Sequence, residues 1–106
     1  MVEEWTPKEV KEALDRGEKI TLLDVREKHE LAVCKIEPSV HISMKEIHLK
    51  YEDLDQYHPI IVYCRSGQRS HQVCTFLQQK GYSNVYNLSG GVLRWSDDID
   101  PSMPKY

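Results

Sequence analysis

Apolar residues occur along this chain in short unbroken blocks, separated by stretches in which they recur at helical spacing. Ile20-Thr21-Leu22-Leu23-Asp24-Val25 is apolar on both faces, which marks a central parallel strand rather than an alternating edge strand. Ile60 to Tyr63 and Val85 to Leu88 read as further strands, with a brief one at Val40 to Ile42. Between them lie helical segments. Thr6-Pro7-Lys8-Glu9 can cap a first helix whose apolar face is Val10, Ala13 and Leu14 and whose stop is Gly17. A short helix is predicted over Glu27 to Val33. Ser43-Met44-Lys45-Glu46 reads as a second capping box, opening a helix with Ile47 and Leu54 buried. A longer helix runs through Lys80 with Val73, Cys74, Phe76 and Leu77 on one side, and Gly81 ends it. Gly90-Gly91 makes a turn before a last helix with Leu93 and Trp95, and two prolines keep the segment from Asp100 to Tyr106 out of regular helix.

Strands that alternate with helices predict an α/β fold, a small, mainly parallel sheet with right-handed crossovers and helices on both faces. The 106 residues are expected to form one domain. Ligands of such sheets bind outside the carboxyl ends of the strands. The segments leaving those ends are Asp24-Val25-Arg26-Glu27, the residues after Tyr63, and Ser89-Gly90-Gly91.

A formal charge of -3 speaks against nucleic acid as the main ligand, and no apolar run is long enough to span a membrane. The acidic start, without a basic and an apolar region, lacks a signal peptide's pattern, so the cytoplasm is the expected compartment. Three cysteines, an odd number with no C-x-x-C pair, fit reducing surroundings and a reactive thiol better than a disulfide framework. The histidines show no ligand spacing, so neither a metal nor another cofactor is expected.

The chemistry concentrates at Cys64-Arg65-Ser66-Gly67-Gln68-Arg69-Ser70, where an apolar strand ends and a helix begins. Unpaired amides at a helix start favour an anion, and Arg65 and Arg69 add two cations, so Cys64 is expected to ionise readily. Gly67 permits a tight turn, and Ser66 and Ser70 supply hydroxyl donors. The alternative, a buried structural cysteine, suits Cys74, expected in the core about three turns along the helix. Cys34 precedes a strand and is therefore expected at the opposite rim, away from the site. Asp24 and Arg26 are placed to orient the loop by an ion pair or hydrogen bonds; simple pairing at a strand terminus explains them equally well.

Three stretches together resemble the rhodanese family of sulfurtransferases, over nearly the whole chain: Leu22 to Glu27, Ile61 to Ser70, and Asn84 to Trp95. The resemblance implies a rhodanese-like three-layer fold and a Cys64 that takes a sulfane sulfur as a persulfide and hands it to a nucleophile. Arg65, Ser66, Gly67, Gln68, Arg69 and Ser70 would bind the substrate. Where many relatives read Gly-His-Ile-Pro-Gly-Ala, this chain has Cys34-Lys35-Ile36-Glu37-Pro38-Ser39, a turn expected to lie away from the site. The stretch from Trp95 to Tyr106 resembles the end of rhodanese domains fused to adenylating enzymes that activate sulfur carriers. That likeness implies a sulfur-carrier protein as partner, served in trans; a cysteine desulfurase is a further candidate donor beside small sulfur donors and acceptors. Two other readings stand beside this one. A cysteine-dependent phosphatase or arsenate reductase would wrap its anion with Cys-x5-Arg, whereas Cys64 and Arg69 enclose four residues. A noncatalytic rhodanese-like docking module would not need Cys64.

Overall fold

A computed structural model describes residues 1–106. Five strands, β1 (Glu3–Trp5), β2 (Thr21–Asp24), β3 (Val40–His41), β4 (Ile60–Tyr63) and β5 (Val85–Leu88), form one sheet in the order β1-β5-β4-β2-β3. Every pairing is parallel. The helices are α1 (Pro7–Asp15), α2 (Lys28–Leu31), α3 (Ile47–Lys50), α4 (Gln68–Gln79) and α5 (Gly91–Asp98), with a 3-10 turn at Tyr51–Asp53.

Strand alternation sorts the core into two layers. Ile60, Val62 and Cys64 face a cluster with Ile47, Leu54, Val73, Cys74 and Leu77, the inner sides of α3 and α4 and their flanks. Ile61 and Tyr63 face the other way, onto Val10 of α1 and Val92 and Trp95 of α5. Because β4 is covered on both sides, all four of its residues are buried, which is why its sequence does not alternate. Each fully buried Ile or Leu contributes roughly 1.5–3 kcal/mol, so both layers hold the strand whose end carries Cys64.

The capping box at Thr6 forms as read: Glu9 donates its amide to the Thr6 hydroxyl at 3.2 Å, and the Thr6 amide reaches the Glu9 carboxylate at 2.8 Å. The second box does not form. Ser43 donates instead to Glu27 at 2.8 Å, and α3 starts only at Ile47, although Ile47 and Leu54 are buried as expected. Strand β1 was absent from the sequence pattern. Glu3 and Glu4 give it no apolar face, and it exists because an edge position beside β5 asks only for backbone pairing. Cys74 is buried in the same cluster as Cys64 but sits within the first two turns of α4, since that helix begins at Gln68. No helix is long and apolar enough to cross a membrane.

Cys34 is not at the opposite rim. Strand β3 pairs with Leu23 and Asp24, the carboxyl end of β2, so the chain need not descend before it reaches Cys34. Cys34 lies instead beside Arg26, with its carbonyl 2.7 Å from the guanidinium, on the face of the sheet away from Cys64. The Cys34 to Ser39 turn is thereby tied to the residues behind the loop. Ser39 hydrogen-bonds the Tyr63 hydroxyl at 2.8 Å.

Candidate active site

Strand β4 delivers Cys64 to the carboxyl edge of the sheet, and the chain must then turn sharply to enter α4. Gly67 makes that turn in the left-handed region, at φ 107°, where a side chain would be strained. A second constraint comes from α5. The amides of Val92 and Leu93 donate to the carbonyls of Cys64 and Arg65 at 3.0 and 3.2 Å, so the start of α5 is docked on the loop. Gly91 is required there: with φ at 59°, a Cβ would lie 2.4 Å from the Arg65 carbonyl oxygen and 2.5 Å from that of Cys64.

The loop closes around the sulfur. The amides of Gly67 and Ser70 lie 3.1 and 3.4 Å from Cys64 Sγ, and the Ser70 hydroxyl lies 3.3 Å away. Cys64 is 1% exposed. Burial is the largest single influence on its thiol and pushes the pKa up. The Ser70 hydroxyl and the amides of Ser70, Gly67 and Ser66 together outweigh it, and the thiol ionises below its ordinary range. Cys74 behaves in the opposite way: burial, with the charges of Glu4 and Cys64 nearby, pushes it up to about 12. Identical side chains in one core cluster thus differ because only one faces hydrogen-bond donors.

The arginines are engaged elsewhere. Arg65 is exposed, donates from Nε to the Tyr106 carbonyl at 2.5 Å, and stacks over the Tyr106 ring at 5.4 Å. Arg69 makes a bidentate pair with Glu30, at 2.8 and 2.9 Å. The donors that reach the sulfur are therefore backbone amides and one hydroxyl. Ser66 and Gln68 are exposed and make no side-chain hydrogen bonds within the chain; Gln68 opens α4, where first-turn amides have no acceptor in the helix.

Asp24 and Arg26 form a buried pair, with Arg26 Nη2 and Nε 2.7 and 3.0 Å from the carboxylate. Desolvation is the strongest influence on the Arg26 guanidinium and works against its charge, but the hydrogen bonds to Asp24 and Tyr106 and the Asp24 charge prevail and hold it above its ordinary value. Neither side chain hydrogen-bonds to the loop. Arg26 donates to the Tyr106 hydroxyl at 3.0 Å, Tyr106 donates to Glu30 at 2.7 Å, and Glu30 grips Arg69.

Glu30 and Tyr106 thus belong to the site, as does Asn87, which accepts from the Ser70 hydroxyl at 2.5 Å; none of the three was expected there, whereas Gly91 lies in a segment expected at this edge of the sheet. Asn87 did carry a signal, as an amide inside an otherwise apolar strand. Glu30 carried none, because nothing in a four-residue helix points to an arginine 39 positions later. Among the His, Cys, Asp and Glu side chains no group is placed to hold a metal ion.

The Glu30 pair gives the fold an acid-sensitive element. Arg69 first, then the Glu27 amide and Tyr106, outweigh burial and hold the Glu30 carboxyl at about 2, below its ordinary 4.5. A depressed carboxylate stabilises the fold fully above its unfolded value and progressively less as pH falls from 4.5 towards 2. Allowing for the exposure of Arg69, the contribution is about 2 kcal/mol. Glu30→Gln is expected to lower the melting temperature at neutral pH and to flatten its decline between pH 5 and 3, as thermal melts across ~pH 3–7 would register.

This fold and thiol loop coincide with a known family. The model of the rhodanese-like domain matches residues 6–98, and the chain belongs to that family. YtwF of Bacillus subtilis, assigned as a sulfurtransferase, is 37% identical over 100 residues, covering 94% of this chain and 96% of that one. The maize adenylyltransferase and sulfurtransferase MOCS3-2 is 32% identical over 108 residues, which span 95% of this chain and 22% of the maize protein. Among solved structures, a rhodanese-related protein of Thermoplasma volcanium superposes with a TM-score of 0.82 at 29% identity, covering 96% of this chain and 95% of that chain.

Proposed function

We propose that Cys64 is the sulfur carrier of this rhodanese-type sulfurtransferase and works through a persulfide. At family level the chain is a sulfurtransferase. The observation that supports Cys64 as the carrier is the convergence of two amides and one hydroxyl on its sulfur within 3.4 Å. With thiosulfate as donor, the thiolate attacks the outer sulfur, a new S–S bond forms, and the bond to the sulfonate sulfur breaks. Sulfite leaves with that electron pair. An acceptor such as cyanide then attacks the outer sulfur, and the electron pair of the protein's S–S bond returns to Cys64 Sγ. The low basicity of that thiolate assists the second step, because it makes Cys64 a good leaving group.

In this reading the amides of residues 65 to 70 hold the anionic outer sulfur, as an oxyanion hole holds oxygen. Arg65 and Arg69 shape the loop through Tyr106 and Glu30, and Asp24 and Arg26 brace it from behind. The Cys64-x4-Arg69 spacing favours sulfur transfer over phosphate chemistry, since the loop is one residue shorter than a phosphate-wrapping Cys-x5-Arg. The three unpaired cysteines suit a reducing compartment such as the cytoplasm. The maize relative joins an adenylyltransferase to a sulfurtransferase, which supports an adenylated acceptor; with the likeness of residues 95–106 to such fusions, a sulfur-carrier protein is the class of acceptor proposed.

Incubation of the purified protein with thiosulfate and cyanide is expected to yield thiocyanate and sulfite in equal amounts, with turnover above the uncatalysed rate. A protein that forms neither product, and from which cyanide releases no sulfur, would instead be a docking module.

A further inference from the structure

Behind Cys64 the Ser70 hydroxyl continues into a buried hydrogen-bond chain whose far members, Asn87 and Glu4, the sulfur-transfer reading leaves unused. Ser70 is fully buried, and its hydroxyl stands between two acceptors, Cys64 Sγ at 3.3 Å and Asn87 Oδ1 at 2.5 Å. Asn87 is 1% exposed, and its orientation is fixed. Its amide nitrogen donates to Glu4 Oε2 at 3.1 Å and to the Gly67 carbonyl at 3.0 Å. Turning the amide over would set its oxygen against a carboxylate and a carbonyl, so the oxygen must face Ser70. Strand register enforces the arrangement: Glu4 of β1 pairs directly with Asn87 of β5.

A hydroxyl has one proton, and two acceptors want it. We propose that Asn87 is a positioning residue that competes with the Cys64 sulfur for the Ser70 proton. While the sulfur is a neutral thiol, the chain runs from Cys64 S–H to Ser70 Oγ and from Ser70 O–H to Asn87 Oδ1. When the sulfur is a free thiolate, the Ser70 hydroxyl rotates to donate to it, and the buried Asn87 oxygen loses its partner at a cost. The charge of a persulfide sits on the outer sulfur, so the inner sulfur releases Ser70 back to Asn87. Asn87 therefore disfavours the free thiolate relative to both states in which Sγ is neutral, and tilts the carrier towards holding its sulfur. That consequence rests on the persulfide reading above; the competition for the proton needs only the free thiol.

The sign of the effect separates this role from a structural one. Loosening the loop would weaken the amide donors and raise the Cys64 titration midpoint, whereas removing a competing acceptor lowers it. The other titratable and charged groups near the sulfur are Cys74 and Arg69 of α4, Arg65 of the loop, and Glu4 across Asn87. All remain in the variants.

The experiment follows the rate of Cys64 alkylation by iodoacetamide against pH in four proteins: the parent chain, Asn87→Leu, Ser70→Ala, and the double variant. Asn87→Leu is expected to lower the midpoint by about one pH unit, and Ser70→Ala to raise it. Adding Asn87→Leu to Ser70→Ala is expected to change nothing further, since no proton is left to contest. An unchanged or raised midpoint in Asn87→Leu overturns the proposal. So does an equal shift in both backgrounds, which would trace the effect to Gly67 or to the charge of Glu4. Should Asn87→Leu not fold, Asn87→Ala is judged by the same two comparisons. Alkylation consumes the free thiol and needs no sulfur donor, so a protein without transferase activity still decides this question.

Discussion

Cys64→Ser is expected to abolish sulfur transfer from thiosulfate to cyanide, leaving no turnover above the uncatalysed reaction. A serine hydroxyl in the same nest ionises far too weakly to attack the outer sulfur at neutral pH, and it forms no persulfide. Because a serine oxygen can accept from the Gly67 and Ser70 amides as the sulfur does, and its hydroxyl can meet that of Ser70, the serine variant should keep the fold, and thermal melts would confirm that the loss is chemical. Cys34→Ala and Cys74→Ala should retain most of the activity. Cys74 is held as a thiol by burial, with its pKa up at about 12, and Cys34 lies on the other face of the sheet beneath Arg26. Substantial turnover by Cys64→Ser would transfer the chemistry to one of those two sulfurs.

Arg26→Met is expected to produce the largest loss of stability. Both members of the Asp24–Arg26 pair are 0% exposed, and the same guanidinium serves the carbonyls of Glu30 and Cys34 and the Tyr106 hydroxyl. Removing it strands a buried carboxylate and several acceptors, a change that costs about 3–5 kcal/mol. Against a total stability of roughly 5–15 kcal/mol, the melting temperature should fall by roughly 15–20 °C. A double change, Asp24→Leu with Arg26→Met, removes both charges and should recover part of the loss. A drop of only a few degrees in the single variant would mean that water reaches Asp24. Activity should fall with the brace, since Tyr106 and Glu30 lose a partner that holds the Arg69 side of the loop.

The central strands and the reactive loop were legible because each is local in sequence. Ile60 to Tyr63 is a continuous apolar run, and Cys64 to Ser70 places its donors within six residues of the sulfur. Gly67 and Gly91 both adopt positive φ angles, although the close approach that fixes Gly91 involves carbonyls 26 and 27 residues away. What escaped the sequence is long-range pairing of charge. Arg65 and Arg69 look like cations for the thiolate when read beside Cys64, and only the packing of α2 and of Tyr106 reveals the partners that draw them aside. Cys34 misleads because a residue just before a parallel strand ordinarily lies at the amino rim of the sheet. A two-residue β3 that pairs only with the end of β2 breaks that inference. Asn87 shows the limit in another way: an amide in a strand announces that it needs partners, but Glu4 lies 83 positions away in β1, and Gly67 and Ser70 lie 20 and 17 positions back in the Cys64 loop.

Mass analysis of the chain after treatment with thiosulfate and removal of excess reagent tests the assignment of the carrier most directly. The account predicts one additional sulfur atom per chain, located on the peptide containing Cys64, released as thiocyanate by cyanide, and absent from Cys64→Ser. Additional sulfur on the peptide of Cys34 or Cys74, or a loaded Cys64→Ser protein, would contradict it.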